Sequence, residues 1–224
     1  MAFLYVYFIA NFGQNIPMAL LFNKILSPEI HYMVWHLTET TEELWQMVNP
    51  DEADLSILEA INHDAKKREY LAGKNAIMKM CESQGLPFLG IYKDEHGKPF
   101  LKDNPFEISL THTLEYIGVV FSKKCPVGID IEKPRPQIMR ILKRLFSEAE
   151  VEEVNENVDK ATIYWSAKEA LYKLYGKRKV DFKENLFLEN IEGYILGKIK
   201  MPDHEAEHHI FVEKLFDYFL VIAY

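Results

Sequence analysis

Hydrophobic positions recur along this chain with two periods, and each period predicts an element. His31–Leu37 (HYMVWHL) reads as a strand, with Val34 and Trp35 among the residues that favour extended backbone. Thr41–Val48 and Leu55–Ile61 read as short helices. Lys66–Met80 predicts a longer amphipathic helix in which Tyr70, Ile77 and Met80 supply apolar positions and Lys and Arg most of the rest. Gly85–Pro87 and Asp94–Pro99 (DEHGKP) punctuate the chain as turns. Beyond them, Tyr116–Phe121 and Val127–Glu132 predict strands joined by an SKKCP turn, and Ile138–Val154 and Ala161–Tyr175 predict helices. Lys198–Met201, Ile210–Leu215 and Tyr218–Tyr224 predict closing strands. The same rhythm thus runs twice, which predicts an α+β protein of two halves, 18–110 and 111–224. No low-complexity linker lies between them.

Residues 1–17 stand apart. Met1–Phe12 is apolar, carries no basic flank and is too short to cross a bilayer. Met18 opens a more ordinary start, so 1–17 is expected to be an upstream mis-start or a poorly packed extension, with no signal peptide and no membrane anchor.

Composition narrows the function classes. Charged residues make up 27% and hydrophobic ones 48% of the 224, which excludes a disordered or collagen-like chain. The net charge of −8 argues against a protein that grips duplex nucleic acid, which needs a broad basic footprint. The two cysteines, Cys81 and Cys125, share no metal or redox spacing and fit free thiols in a reducing cytoplasm.

Three stretches carry candidate chemistry. In Val127-Gly128-Ile129-Asp130-Ile131-Glu132, strand alternation puts Asp130 and Glu132 on one face. That face is either a wetted acidic strand surface or a site for a hard cation such as Mg²⁺, which would relieve the repulsion between the two carboxylates. In Trp165-Ser166-Ala167-Lys168-Glu169-Ala170-Leu171-Tyr172-Lys173, helical spacing aligns Trp165, Glu169 and Lys173. Glu169 and Lys173 are either a surface ion pair or a carboxylate for metal and proton work beside a phosphate clamp. In Ile108-Ser109-Leu110-Thr111-His112-Thr113, a histidine stands between two hydroxyl residues. His204-Glu205-Ala206-Glu207-His208 matches the zinc-protease spacing but follows Pro202-Asp203 and precedes strand-like sequence, so a polar turn is expected there rather than a metal helix. No phosphate-binding glycine loop occurs, so a bound phosphate would depend on side chains and a metal.

In this order, these blocks resemble the 4′-phosphopantetheinyl transferase superfamily, in its long, two-halved, Sfp-like branch. Gly128-Ile129-Asp130-Ile131-Glu132 and Trp165 to Lys173 resemble the family's central signatures, and Arg144-Leu145-Phe146-Ser147 its arginine-phenylalanine stretch. Gly97-Lys98-Pro99 and Ser109, Thr111 and His112 resemble its upstream blocks, with Thr111 and Thr113 in place of serines. The resemblance covers about residues 31–224. It implies two similar α+β halves related by a pseudo-twofold, with a coenzyme A site in the cleft between them.

The resemblance further implies Mg²⁺-dependent transfer of phosphopantetheine from coenzyme A to a serine of an apo acyl or peptidyl carrier protein, of the holo-[acyl-carrier-protein] synthase type, releasing adenosine 3′,5′-bisphosphate. Asp130, Glu132 and Glu169 would ligate the metal, Glu169 would take the serine proton, and Lys173 would neutralise the pyrophosphate. Thr111, His112 and Lys98 would contact coenzyme A, and Arg68 and Lys74 its 3′-phosphate. A cytoplasmic monomer acting in fatty acid, polyketide or peptide synthesis is expected. Two basic runs, Arg135, Arg140, Lys143 and Arg144, and Lys173, Lys177, Arg178, Lys179 and Lys183, are candidate docking patches for an acidic carrier or simply solvated helix ends. The rival readings are a metal-dependent nuclease and a catalytically silent relative that binds carrier protein or coenzyme A.

Overall fold

The structure, a computed structural model, describes residues 20–224, so the extension expected at 1–17 lies outside the described residues. Strands β1 (Leu20–Ser27) and β2 (Ile30–His36) lead through short helices α1 (Thr41–Val48) and α2 (Glu52–Ala60) into the long α3 (Asp64–Ser83). A hairpin of β3 (Ile91–Lys93) and β4 (Pro99–Leu101) follows, then β5 (Glu107–His112) and β6 (Tyr116–Ser122). The chain then repeats the plan: β7 (Gly128–Glu132), a 3₁₀ turn (Pro136–Arg140), α4 (Leu142–Leu145), α5 (Glu148–Val154) and the long α6 (Val158–Tyr175). It closes with the meander β8 (Leu186–Ile191), β9 (Tyr194–Met201), β10 (His204–Leu215) and β11 (Tyr218–Ala223). Capping boxes start three of the helices, with Thr40 and Glu43, Asp51 and Asp54, and Ser147 and Glu150 exchanging side-chain and backbone bonds.

Both sheets are antiparallel and are closed by the same device. In the order β1-β2-β6-β5, the last strand of the first half returns to pair with β2; in the order β7-β11-β10-β9-β8, the last strand of the chain returns to pair with β7. The break between the sheets therefore falls between Ser122 and Gly128, not at the 110/111 boundary expected from sequence. β5 and β6 belong with β2, and the two strands flanking the SKKCP turn lie in different sheets.

Strand alternation divides the apolar residues into three cores. Met33, Trp35, Ile117 and Val119 face α3, whose Leu71, Ala72 and Ile77 join them. Tyr32, Val34, Val120, Ile129, Ile131, Leu220 and Ile222 pack between the two sheets. Val221 and Ala223 face α6, against Ala167, Ala170 and Leu171. The layers thus run helix, sheet, sheet, helix, and each fully buried Leu, Ile or Val contributes roughly 1.5–3 kcal/mol.

Several elements depart from the expected ones. The helix expected over Ile138–Val154 is three pieces, because extended Phe146 and Ser147 interrupt it and the Ser147 hydroxyl accepts the Glu150 N–H to begin α5. The polar stretch 204–208 is strand rather than turn, the turn falling at Pro202-Asp203. Glu205 and Glu207 sit directly across from Lys200 and Lys198, and these opposite-charge pairs suit an exposed sheet face. On such a strand His204 and His208 lie roughly 13 Å apart, too far to share a metal. β1, β3, β4, β5 and β8 are additional to the expected strands.

Candidate active site

The site lies where the free edges of the two sheets meet. β5 and β7 are edge strands, and β5 serves β7 with side chains instead of a backbone ladder. The Ile129 N–H donates to Ser109 Oγ at 3.2 Å, and Thr111 Oγ1 donates to Asp130 Oδ1 at 3.2 Å. On its other side β7 lies hard against α6. A Cβ on Gly128 would stand 1.9 Å from the Ala170 carbonyl oxygen, so only glycine admits this approach.

That close contact brings the α6 side chains to the acidic strand. Asp130 is buried, and Ser166 Oγ donates to its Oδ2 at 2.8 Å while Lys173 Nζ donates to its Oδ1 at 2.8 Å and to the Ile129 carbonyl at 2.9 Å. Glu132, two residues along, accepts the Trp165 indole N–H at 3.3 Å. The Glu169 carboxylate accepts no hydrogen bond from the described residues. Burial, with Asp130 and Glu132 adding to it against Lys173, pushes Glu169 up to about 7. Burial and the neighbouring Asp130 likewise raise Glu132, although Trp165 and Lys173 oppose the shift. Three carboxylates are thus held close enough to resist sharing negative charge.

Beside this cluster a cleft of about 220 Å³ is lined by His96, Lys98, Ile108, Ser109, Tyr172 and Lys173, among others. Lys98 spans it from the β3–β4 turn, paired with Glu107 at 2.9 Å and donating to the Leu174 carbonyl at 3.2 Å. His112 ends β5 with Nδ1 3.6 Å from Glu69 Oε2, and burial outweighs that carboxylate in lowering its pKa. Asp130, Glu132, Glu169, Lys173 and Thr111 are therefore brought together, with Lys98 at the cleft.

Two expected coenzyme A contacts are engaged elsewhere. Arg68 donates from Nε to the Glu39 carbonyl at 2.6 Å and from Nη2 to the Leu37 carbonyl at 2.9 Å, tying α3 to the chain after β2. Lys74 is ion-paired with Asp54, which also accepts the Tyr70 hydroxyl at 2.7 Å, and is only 10% exposed. Sequence pattern gives no role to Ser166 or to the Trp165 indole, and none to Ser109 beyond its place in the upstream block; a signal exists for Ser166, which stands three residues before Glu169 and so on the strand-facing side of the same helix.

The donor set has the chemistry for a hard dication, being all carboxylate oxygen and electrostatically strained without one. As the side chains stand, no three of His, Cys, Asp and Glu converge on a common point among the described residues. Asp130 is turned to Thr111, Ser166 and Lys173, whose ammonium supplies positive charge at the carboxylate.

A model of the 4′-phosphopantetheinyl transferase superfamily matches residues 126–214, the stretch that holds β7 and α6. The chain is 32% identical over 118 residues to the 4′-phosphopantetheinyl transferase psf-1 of Bacillus pumilus, an alignment covering 50% of this chain and 49% of that protein. It is 36% identical over 89 residues to the 4′-phosphopantetheinyl transferase Sfp of Bacillus subtilis strain 168, covering 37% and 39%. The chain thus spans about half the length, or less, of these curated relatives. The resemblance to the 4′-phosphopantetheinyl transferase superfamily, in its Sfp-like branch, is thereby shown.

Proposed function

We propose that this protein transfers the 4′-phosphopantetheine arm of coenzyme A to a serine hydroxyl of an apo acyl or peptidyl carrier protein. The observation that carries the reading is the cluster of Asp130, Glu132, Glu169 and Lys173 beside the cleft, built by the stretch that matches the superfamily. In this reading the two halves are related by a pseudo-twofold, supported by the repeated order of strand, long helix and returning meander. Coenzyme A lies between them in the cleft that Lys98 spans.

Asp130, Glu132 and Glu169 hold Mg²⁺ in this reading. Bound there, Mg²⁺ supplies charge neutralisation on the pyrophosphate. Lys173, released from Asp130, moves its ammonium onto a pyrophosphate oxygen. The serine oxygen attacks the phosphorus that carries the pantetheine arm, and the bond from that phosphorus to the bridging oxygen breaks. The products are the holo carrier protein and adenosine 3′,5′-bisphosphate. Glu169, whose carboxylate has no other hydrogen-bond duty, takes the serine proton directly or through water. Thr111 and Ser166 keep Asp130 oriented, Trp165 does the same for Glu132, and His112 and Lys98 contact phosphates of the nucleotide. Arg68 contributes to the 3′-phosphate only through the part of its guanidinium not bonded to carbonyls. Lys74 stays with Asp54. Such chemistry depends on positioning and charge more than on covalent groups.

The test is intact-mass spectrometry of an apo acyl carrier protein incubated with the protein, coenzyme A and Mg²⁺. The expected result is a gain of one phosphopantetheine, abolished by Glu169→Ala. No gain on acyl and peptidyl carriers, with coenzyme A still bound, would replace this reading with that of a silent binder.

A further inference from the structure

β7 and α6 run in opposite directions: Gly128 packs on Ala170, Asp130 takes Lys173 and Ser166, and Glu132 takes Trp165. The seam between them therefore has two ends. The cleft of about 220 Å³ lies at the C-terminal end of α6, beside Tyr172, Lys173 and Gly176. A second cavity, of about 310 Å³, lies at the opposite end, beside Asp159 in the first turn of α6 and Lys133 and Pro134 just past β7. Asp130, Glu132 and Glu169 stand between the two. Strand pairing sets one row across the sheet, because Glu132 lies opposite Phe219 and Phe219 opposite Lys214. Residues paired in this way share a face, so the cavity that Phe219 and Lys214 line continues the carboxylate face by one step.

The two cavities differ in charge. Lys98, Lys173 and His96 line the first and no carboxylate does, which suits an anion. In the second, Lys133 is ion-paired with Asp217, while Lys214 and Asp159 have no ion-pair partner among the described residues. These two ammonium and two carboxylate groups sum to no net charge, yet they offer hydrogen-bond donors and acceptors. The apolar lining is Pro134, the buried Phe219 and Phe216 at the tip of the β10–β11 hairpin. Phe216 is 68% exposed and holds a left-handed backbone, φ 54°, in a two-residue turn where glycine or asparagine is usual. A phenylalanine kept against that preference points to a use for its ring, which stacks on Tyr116 of β6 at 6.5 Å.

We infer that the cavity at the Phe216 end takes the pantetheine arm of coenzyme A, with Phe216 and Phe219 against the arm and Lys214 and Asp159 bonding its amides. The inference rests on the proposed function for the identity of the ligand and on the two unlike cavities for its direction. Coenzyme A is itself unlike at its two ends. The nucleotide carries the phosphates, whereas the arm is uncharged and combines two amides with methyl and methylene groups. A nucleotide beside Lys98 puts the pyrophosphate beside Lys173, and the arm then leaves past Glu132 toward the second cavity. Trp165, bonded to Glu132 and stacked on Phe182 at 5.4 Å, borders that path. Lys173 and Asp159 lie about 21 Å apart along α6, a span that an extended coenzyme A covers.

The test is calorimetric binding of coenzyme A and of adenosine 3′,5′-bisphosphate, which lacks the arm, with Mg²⁺ present and no carrier protein. Wild type is compared with Phe216→Gly, which removes the ring and suits the left-handed turn, and with Lys214→Ala, which leaves the turn untouched. The dissociation constant for coenzyme A should rise about tenfold in Phe216→Gly and about threefold in Lys214→Ala, with that for the bisphosphate unchanged in both. The melting temperature of Phe216→Gly should not fall, because glycine takes this backbone without strain. An unchanged dissociation constant for coenzyme A in both variants overturns the inference, as does equal weakening of the two ligands. Wild type that binds neither ligand overturns the proposed function and the inference together. Arm-dependent binding without mass gain on any carrier upholds the cavity's ligand and overturns the proposed transfer alone.

Discussion

The two halves of this protein follow one chain order, yet they fill the space beneath their long helices differently. Under α3, β2 presents Met33 and Trp35, and the helix answers with Leu71, Ala72 and Ile77. Under α6, β7 presents Asp130 and Glu132, and the helix answers with Ser166, Trp165, Glu169 and Lys173. The first arrangement is an ordinary core. The second exchanges apolar contact for a polar seam, and the hydrogen bonds to Asp130 offset the cost of burying its charge.

The halves share one further device. In each, a lysine of the long helix grips the acid at the third position of a capping box on the short helix before it: Lys74 holds Asp54, and Lys168 holds Glu150. Burial raises Asp54, but Lys74 and Tyr70 outweigh it and lower the carboxyl overall. Lys168 is more deeply enclosed and also holds two carbonyls, so the second half relies more on its clamp. A scaffold rigidly pinned at this point is what a polar seam requires.

The largest effect should come from the seam itself. Asp130→Asn keeps the shape but removes the charge, and should cut transfer at least about 10²–10³-fold, read as the initial rate of carrier mass gain. Next, the two clamps should differ. Lys168→Met should cost about 3–5 kcal/mol in denaturant unfolding, as removal of one partner of a buried ion pair does. Lys74→Met, whose partner is shared with Tyr70, should cost clearly less. Equal losses would mean that the halves rely on their clamps alike.

The helix–sheet approach gives a third comparison. A Cβ on Gly128 meets backbone at 1.9 Å, whereas one on Gly73 of α3 meets only the flexible Leu110 side chain at 2.9 Å. Gly128→Ala should therefore destabilise by roughly 3 kcal/mol. Gly73→Ala should stay within about 1 kcal/mol of wild type, because the helix gains from alanine what Leu110 must yield. Thermal unfolding of both variants decides it.

Smaller still is Trp165→Phe, which keeps the stack on Phe182 and removes the N–H from Glu132. It should weaken Mg²⁺ affinity about tenfold by calorimetry and leave the fold intact. Least is the pH response of His208 in β10. Burial, with His204 and His209 alongside, holds His208 below its usual value of 6.5. The unfolded chain therefore binds that proton more readily, so stability is present above pH 6.5 and is lost as pH falls below it. Half-buried His31 contributes in the same direction. His208→Gln should flatten the acid side of the melting-temperature profile.

Local pattern accounts for much of what was legible. The α1 bounds were readable from the residues, and α3, α6, β6 and β7 to within a few residues, because each has a strong period and clear end signals. The polar hairpin of β9 and β10 was not, because its alternating charges look like turn sequence until the partner strand supplies the opposite charge. The break at Ser147 was likewise hidden in a helical composition, although the capping-box spacing with Glu150 was present.

What the sequence determined by itself was the chemistry of the site: carboxylates alternating on one strand face, and a carboxylate and a lysine one turn apart on a helix. Those relations are local, since fixed backbone periods set them. Tertiary structure alone decided which strand ends which sheet, that Ser109 and Thr111 reach across to β7, and that Lys74 is spent on Asp54. It alone joined two distant basic runs through a buried lysine. Each of these depends on contacts between residues far apart in the chain, and only the packing of the two sheets and the approach of α6 over Gly128 brings them within hydrogen-bond range.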